Sequence, residues 1–223
     1  MERIVELFFN VEVMIEYAPR VLDGFLLTIA MAVAIIVLGL SLGLGLAVLR
    51  LYRIRPLNWL LVFYVDLFRA VPALVIIYLF YFALPYAGLT MTSVTATVLT
   101  LTLIVAAFSE EIYWASILSL PAGQWEAGRS TGLSFLETIA FVVVPQAVRR
   151  AIPMLTNRAI AITKGTALGS TVAVQEILNQ ALSAQSIAAN PSPLTLGSLL
   201  YLVIFAPMVT YSRWIERRYG WVG

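Results

Sequence analysis

The sequence predicts an all-α, polytopic membrane bundle of about five transmembrane helices with a short cytoplasmic helix between the third and fourth. Three observations carry that expectation. Apolar residues make up 61% of 223 residues and charged residues only 12%, with mean hydropathy +0.93; so few charges cannot solvate the surface of a soluble domain of this length. The apolar residues are gathered into runs long enough to cross a bilayer. The arginines cluster in alternate connections between those runs, as the positive-inside rule requires.

Taken in order, the first expected span is Phe25 to Leu49 and the second is Leu57 to Leu84, with Asp66 and Arg69 in its first half. Pro85 to Gly88 reads as a turn, and Leu89 to Leu118 as the third span. A polar stretch, Ser119 to Ser134, follows; Phe135 to Val144 is too short to cross and is expected at the interface or against the bundle. The fourth span is expected at Leu155 to Leu178, an uncharged loop at Asn179 to Pro193, and the fifth span at Leu194 to Tyr211. The chain is thus read as one transmembrane domain, 1–223, with a cytoplasmic loop at 119–153.

Arg50, Arg53 and Arg55, then Arg129, Arg149 and Arg150, then Arg213, Arg217 and Arg218 all fall on one side of five spans. The other side holds Arg3 and Arg20 against five acidic residues and the uncharged loop. The expected topology therefore has the N-terminus outside and the C-terminus in the cytoplasm. Met1 to Glu6 lacks the basic start and short apolar core of a signal peptide. Gly39 and Gly43 are spaced for close helix approach, and Trp59, Tyr64, Trp214, Tyr219 and Trp221 are expected as interfacial anchors.

The composition also excludes functions. With neither Cys nor His, the chain has no disulfide, no thiolate, no His/Cys zinc site and no Ser-His or Cys-His nucleophile pair. Net charge +2 without a basic cluster interleaved with aromatics argues against nucleic acid. No G-x4-G-K-[ST] phosphate loop is present. Lys164 and Ser170 lie six residues apart, which on an α-helix puts them on different faces and disfavours a catalytic dyad.

The most informative segment is Pro121 to Pro145. It reads as a short amphipathic helix with Glu126 in its first turn, where the helix dipole favours a carboxylate. Gly132 is placed to end that helix in a left-handed conformation. A second short helix and a break at Pro145 follow.

In Glu126-Ala127-Gly128, then Gly132, then Val142-x-Val144-Pro145, the chain resembles the permease subunits of ABC importers. Their cytoplasmic signature has the form E-A-A-x3-G-x9-I-x-L-P. Every spacing is kept, with Gly for the third position and valines for two aliphatics. Similarity to the polar amino acid branch extends through Gly24 to Thr28, Tyr64 to Pro72, Pro121 to Ala127 and Pro145 to Pro153. The resemblance implies a coupling helix in which Trp125, Glu126, Ala127, Gly128, Gly132 and Pro145 engage a separate cytoplasmic ATPase. It also implies a second permease subunit, identical or different, and an extracytoplasmic solute-binding protein, all acting at a bacterial inner membrane. The chain itself is then no enzyme and holds no cofactor, ATP being used by the partner.

Ionisable groups inside spans are costly and mark candidate pathways. Glu110 and Glu111 lie in the third expected span and Lys164, the single lysine, in the fourth. Lys164 with Glu111 could bind an amino acid zwitterion or neutralise one another. Thr163, Thr166, Ser170, Thr171 and Gln175 form a polar stretch beside Gly165 and Gly169, which could line a cavity or bond between helices. Asp66 and Arg69 are expected to pair locally. Two departures from the resembling branch stand out: Trp114 where it carries Arg, and Lys164-Gly165-Thr166-Ala167-Leu168 where it carries K-D-T-S-L. They imply a less polar or differently charged solute, such as an amine or opine, or the non-binding scaffold half of a heterodimer. A membrane scaffold without a pathway and a secondary transporter are the rival classes, the latter lacking the internal repeat it needs.

Overall fold

The computed structural model describes residues 6–219. Glu2, Arg3 and Trp221 lie outside the described residues, as does the side chain of Tyr219. Among the described residues every regular element is helical. Four helices are long and apolar enough to cross a membrane, and a bent pair makes a fifth when counted as one span.

Helix α1, Val11–Arg50, is capped by Asn10, whose side chain accepts from Val13 N, and continues through Pro19. Its 40 residues extend about 60 Å, twice a ~30 Å hydrocarbon layer, so the helix begins well ahead of the expected first span. Helix α2, Arg55–Ala70, follows. The second expected span is not one straight helix. The chain turns by 105° between α2 and the segment 73–87, because Pro72 lacks a donor and pushes Val71 to φ −84°, ψ 130°. That segment comprises α3, Ala73–Tyr78, a π-helical stretch Leu79–Ala83 and a 3-10 turn Leu84–Ala87. It ends where Gly88 takes φ +81°, the turn the sequence predicts.

Helix α4, Ser93–Leu118, starts at a Thr92 cap and is the most buried of the spanning helices. Its main partner is α1, and Gly39 and Gly43 are the reason. A Cβ at Gly39 would lie 2.5 Å from Val105 Cγ1, and one at Gly43 2.6 Å from Ser109 Cβ and 2.8 Å from the Ala106 carbonyl. Gly45, by contrast, has nothing within 4 Å. Met31, Ile35, Ile77, Leu101, Val105, Val172 and Val174 form one buried cluster. Ala47, Tyr113, Ile117, Val143, Ala147 and Leu155 belong to a second, at the arginine-rich end.

The short helix α5, Ala122–Ser130, connects to a one-turn helix α6, Phe135–Glu137, closed by a Ser134–Glu137 capping box. A π-helical stretch, Thr138–Val143, then runs into α7, Val144–Thr163, and a 3-10 segment, Lys164–Val172. The fourth span therefore begins at Phe135, not Leu155, and ends at Val172, not Leu178. The expected break at Pro145 does not occur: Pro145 falls in the first turn of α7, where its missing N–H costs least, and the wider π turn precedes it. The Gln146 side chain donates to the Val142 carbonyl at 2.8 Å. Pro153 is likewise carried inside α7.

The expected loop at Asn179 to Pro193 is largely a helix, α8, Ile177–Ala188. Glu176, fully buried, caps it by accepting from Leu178 N and Asn179 N at 3.0 and 2.8 Å. Helix α9, Ser192–Tyr219, is longer than expected at both ends and passes through Pro207. Ser212 donates to Asn157 Oδ1 at 2.6 Å, and Asn157 Nδ2 donates to Glu216, clasping α9 to α7.

Candidate functional site: a braced short helix and a charged face

Helix α5 is a knob held from three sides. Pro121 stands at its N-cap, so Glu126 is the fifth residue of the helix and not in the first turn as expected. Glu126 and Ala127 are exposed. Trp125 is half-buried and stacks on Phe135 at 6.3 Å, and Phe135 meets Tyr52 edge-on at 6.1 Å. Gln146 Nε2 donates to Gln124 Oε1 at 2.9 Å, tying α5 to α7. Arg150 donates to the Ser119 carbonyl at 2.7 Å, tying α7 to the end of α4.

The two motif glycines have different duties. Gly132 takes φ +87° and donates to the Arg129 carbonyl at 3.1 Å, while Leu133 N donates to the Gly128 carbonyl at 3.3 Å, closing the helix as its position predicts. Gly128 is buried against the π-helical stretch: a Cβ there would lie 2.9 Å from Thr138 Cγ2 and 3.4 Å from Val142 Cγ2. The Thr138 methyl thus explains why this position holds Gly instead of Ala. Pro145 lies in the first turn of α7, next to Gln146, the residue that bonds to the knob.

Of the candidate pathway residues, the structure does not bring Glu111 and Lys164 together. Glu111 accepts from Arg69 at 2.8 Å, and Lys164 Nζ stands over the Phe205 ring at 5.6 Å. The expected Asp66–Arg69 pair is replaced: α2 packs against α4, and Arg69 reaches across to Glu111. Phe108 carries the Arg69 guanidinium at 5.3 Å and that of Arg158 at 4.0 Å. Arg69, Glu111 and Arg158 are all exposed. Arg158 falls inside the expected fourth span, so the rule that singled out Glu110, Glu111 and Lys164 could have found it, but sequence reasoning did not apply that rule to it.

One residue away the environment reverses. Glu110 is fully buried and accepts from Arg50 at 2.9 Å, while its Oε2 has no partner among the described residues. The Arg50 guanidinium lies over the Trp114 ring at 4.6 Å. Trp114 therefore seats a cation that comes from α1, where the resembling branch has a cation of its own.

The polar stretch is not an α-helix. Across the 3-10 segment, Lys164 and Ser170 are two full turns apart and share a side, contrary to the different faces expected. They remain about 12 Å apart along the axis at ~2.0 Å per residue, and Ser170 donates to the Ala167 carbonyl at 2.7 Å. Thr163 and Thr166 are buried, whereas Lys164, Thr171 and Gln175 are exposed. Among the described residues no group of three acidic residues could hold a metal ion.

The family model described as "Binding-protein-dependent transport system inner membrane component" matches residues 35–221. The probable amino-acid ABC transporter permease protein YckA of Bacillus subtilis (strain 168) is 31% identical over 216 residues, 96% of this chain and 96% of its own. The probable glutamine ABC transporter permease protein GlnM of the same organism is 32% identical over 210 residues, 94% and 97% of the two chains. A solved structure titled "Crystal structure of an amino acid ABC transporter with histidines" superposes with TM-score 0.81 at 28% identity, over 92% of this chain and 96% of that one. A chain of the inward-facing MetNI methionine ABC transporter shares the fold, with TM-score 0.68 at 20% identity over 95% and 99%.

Proposed function

We propose, from the premise that this chain belongs to the binding-protein-dependent transport system inner membrane components, how it works as the multi-pass permease subunit of an amino acid ABC importer. Its solute is a polar amino acid or a related small molecule, as in the relatives' own names. The chain forms half of the pathway, has no catalytic site of its own, and couples to a separate ATPase that uses ATP. Its other partners are a second permease subunit, identical or different, and an extracytoplasmic solute-binding protein. The arginine-rich ends of α1, α7 and α9 face the cytoplasm, with the N-terminus outside.

The observation that carries the coupling role is the exposed Glu126–Ala127 surface of α5, fastened to α7 through Gln124–Gln146, with α7 in turn tied to the end of α4 through Arg150–Ser119. A push on α5 then moves two spanning helices as a rigid body, and loop 119–153 is the docking element. Trp125, Gly128, Gly132 and Pro145 shape and hold the knob, leaving Glu126 and Ala127 to touch the ATPase.

For the pathway, the exposed charges of Arg69, Glu111 and Arg158 cannot face hydrocarbon without large cost. They face a water-filled path, where one carboxylate and two guanidiniums can engage the ammonium and carboxylate of an amino acid. Lys164 and Gln175 are exposed further along, and Trp114, Thr166 and Ser170 support the wall. The scaffold-half reading draws on the same pairs, since Glu111 and Glu110 already have cations within the chain.

Co-purification from membranes tests the coupling role. The ATPase is expected with the intact chain and lost with Glu126→Lys or Gly132→Asp; no ATPase with any form in gentle detergent overturns it. Glu111→Gln separates the pathway readings: lost uptake with the ATPase still bound supports solute contact, and unchanged uptake supports the scaffold half.

A further inference from the structure

An apolar groove of about 390 Å³ opens between α1, α4, α7 and α9. It is lined by Ile36 and Leu40 of α1, Tyr113 of α4, Val148, Ile152 and Ala159 among others of α7, and Met208 and Tyr211 of α9. Thr156 is also in the wall, but its hydroxyl donates to the Ile152 carbonyl at 2.8 Å and so makes no demand on an occupant. All four helices are membrane-spanning. The groove therefore lies where hydrocarbon chains compete to fill it.

Its arginine-rich end is built differently. On α9, Tyr211 stacks on Trp214 at 5.7 Å, and Arg218 lies over the Trp214 ring at 5.3 Å. Arg218 follows Tyr211 by two helical turns and so continues the groove-lining face toward the membrane surface. On α7, exposed Arg149 is next to the lining residue Val148 and one turn before Ile152. The nearby carboxylate, Glu216, is held by Asn157. The groove-lining faces of α7 and α9 thus each run on to an arginine, the one on α9 beside interfacial aromatics, which matches one amphiphile: an acyl chain carrying an anionic phosphate headgroup.

We propose that this groove binds an anionic phospholipid, one acyl chain lying along Ile152, Ala159 and Met208 and its phosphate held by Arg149 and Arg218. The lipid would fill the gap where α1 meets α7 only weakly and so tie the first span to the helix that carries the docking loop.

Native mass spectrometry of the full chain in mild detergent, titrated with dioleoyl phosphatidylglycerol or dioleoyl phosphatidylethanolamine, tests this. The expected result is one phosphatidylglycerol adduct per chain, held about tenfold or more tighter than phosphatidylethanolamine. Arg149→Gln with Arg218→Gln should abolish the preference while leaving weak adducts of both lipids. Ala159→Trp, which fills the slot, should remove the adduct. Equal retention of the two lipids, or a preference surviving the double arginine change, overturns the proposal. So does a wild-type dimer free of adduct that Ala159→Trp turns to monomer, which would mean that a second copy covers the groove. Should Ala159→Trp fail to fold, the arginine pair decides alone.

Discussion

Glu110 and Glu111 are neighbours on one helix, yet α4 gives them opposite surroundings. Glu110 points into the seam with α1, has no exposed side-chain surface, and meets Arg50; Glu111 points away, keeps 48% of its side-chain surface, and meets Arg69. The first pair joins two spans inside the protein, where a lost partner leaves an uncompensated charge. The second sits on a face the chain leaves open, where it can exchange partners. The same residue type thus serves as a buried fastener or as an exposed, exchangeable pair according to the helix face that carries it.

The sharpest way to break the comparison is at Arg50. Arg50→Met should destabilise the chain by about 3–5 kcal/mol by stranding Glu110, read as loss of monodisperse protein after heating in detergent. Adding Glu110→Gln should recover much of that loss, since the stranded charge is gone. Gly43→Ala comes next, at about 1–3 kcal/mol, because the new methyl meets the Ala106 carbonyl and Ser109 Cβ at the same seam. Gly45→Ala, facing open space on the same helix, should be neutral or better and serves as the control.

A smaller effect is expected for Gly128→Ala, which forces α5 off the Thr138 methyl and should lower ATPase retention more than thermal stability. Thr138→Ser removes the clashing methyl and should restore binding. The smallest stability change belongs to Glu111→Gln, within about 1 kcal/mol as for other exposed pairs. A cost comparable to Arg50→Met would mean that the two faces of α4 are not different in kind.

Much of this was legible in the sequence. Apolar run length marked the spanning helices, and the residues from Pro121 to Gly132 marked the short helix between them, because both are properties of contiguous residues. Gly132 was legible for the same reason, its left-handed conformation being a local demand. The errors came where prolines were read alone. Pro72 produced a 105° bend that an apolar run conceals, while Pro145, expected to break the chain, was absorbed in the first turn of α7 after a π turn. The expected uncharged loop hid α8 because its cap is a buried Glu176.

The pairing of charges was not legible at all. Composition and spacing determined that the chain crosses a membrane several times, which end is arginine-rich, and which short helix projects from it. These follow from transfer free energies and backbone preferences that each segment expresses by itself. Only the tertiary structure decided that Arg50 serves Glu110, that Arg69 leaves Asp66 for Glu111, and that Gly128 yields to Thr138. Each of those choices depends on the rotation and depth at which separate helices meet, and Coulomb and steric terms reward that meeting over distances no single segment specifies.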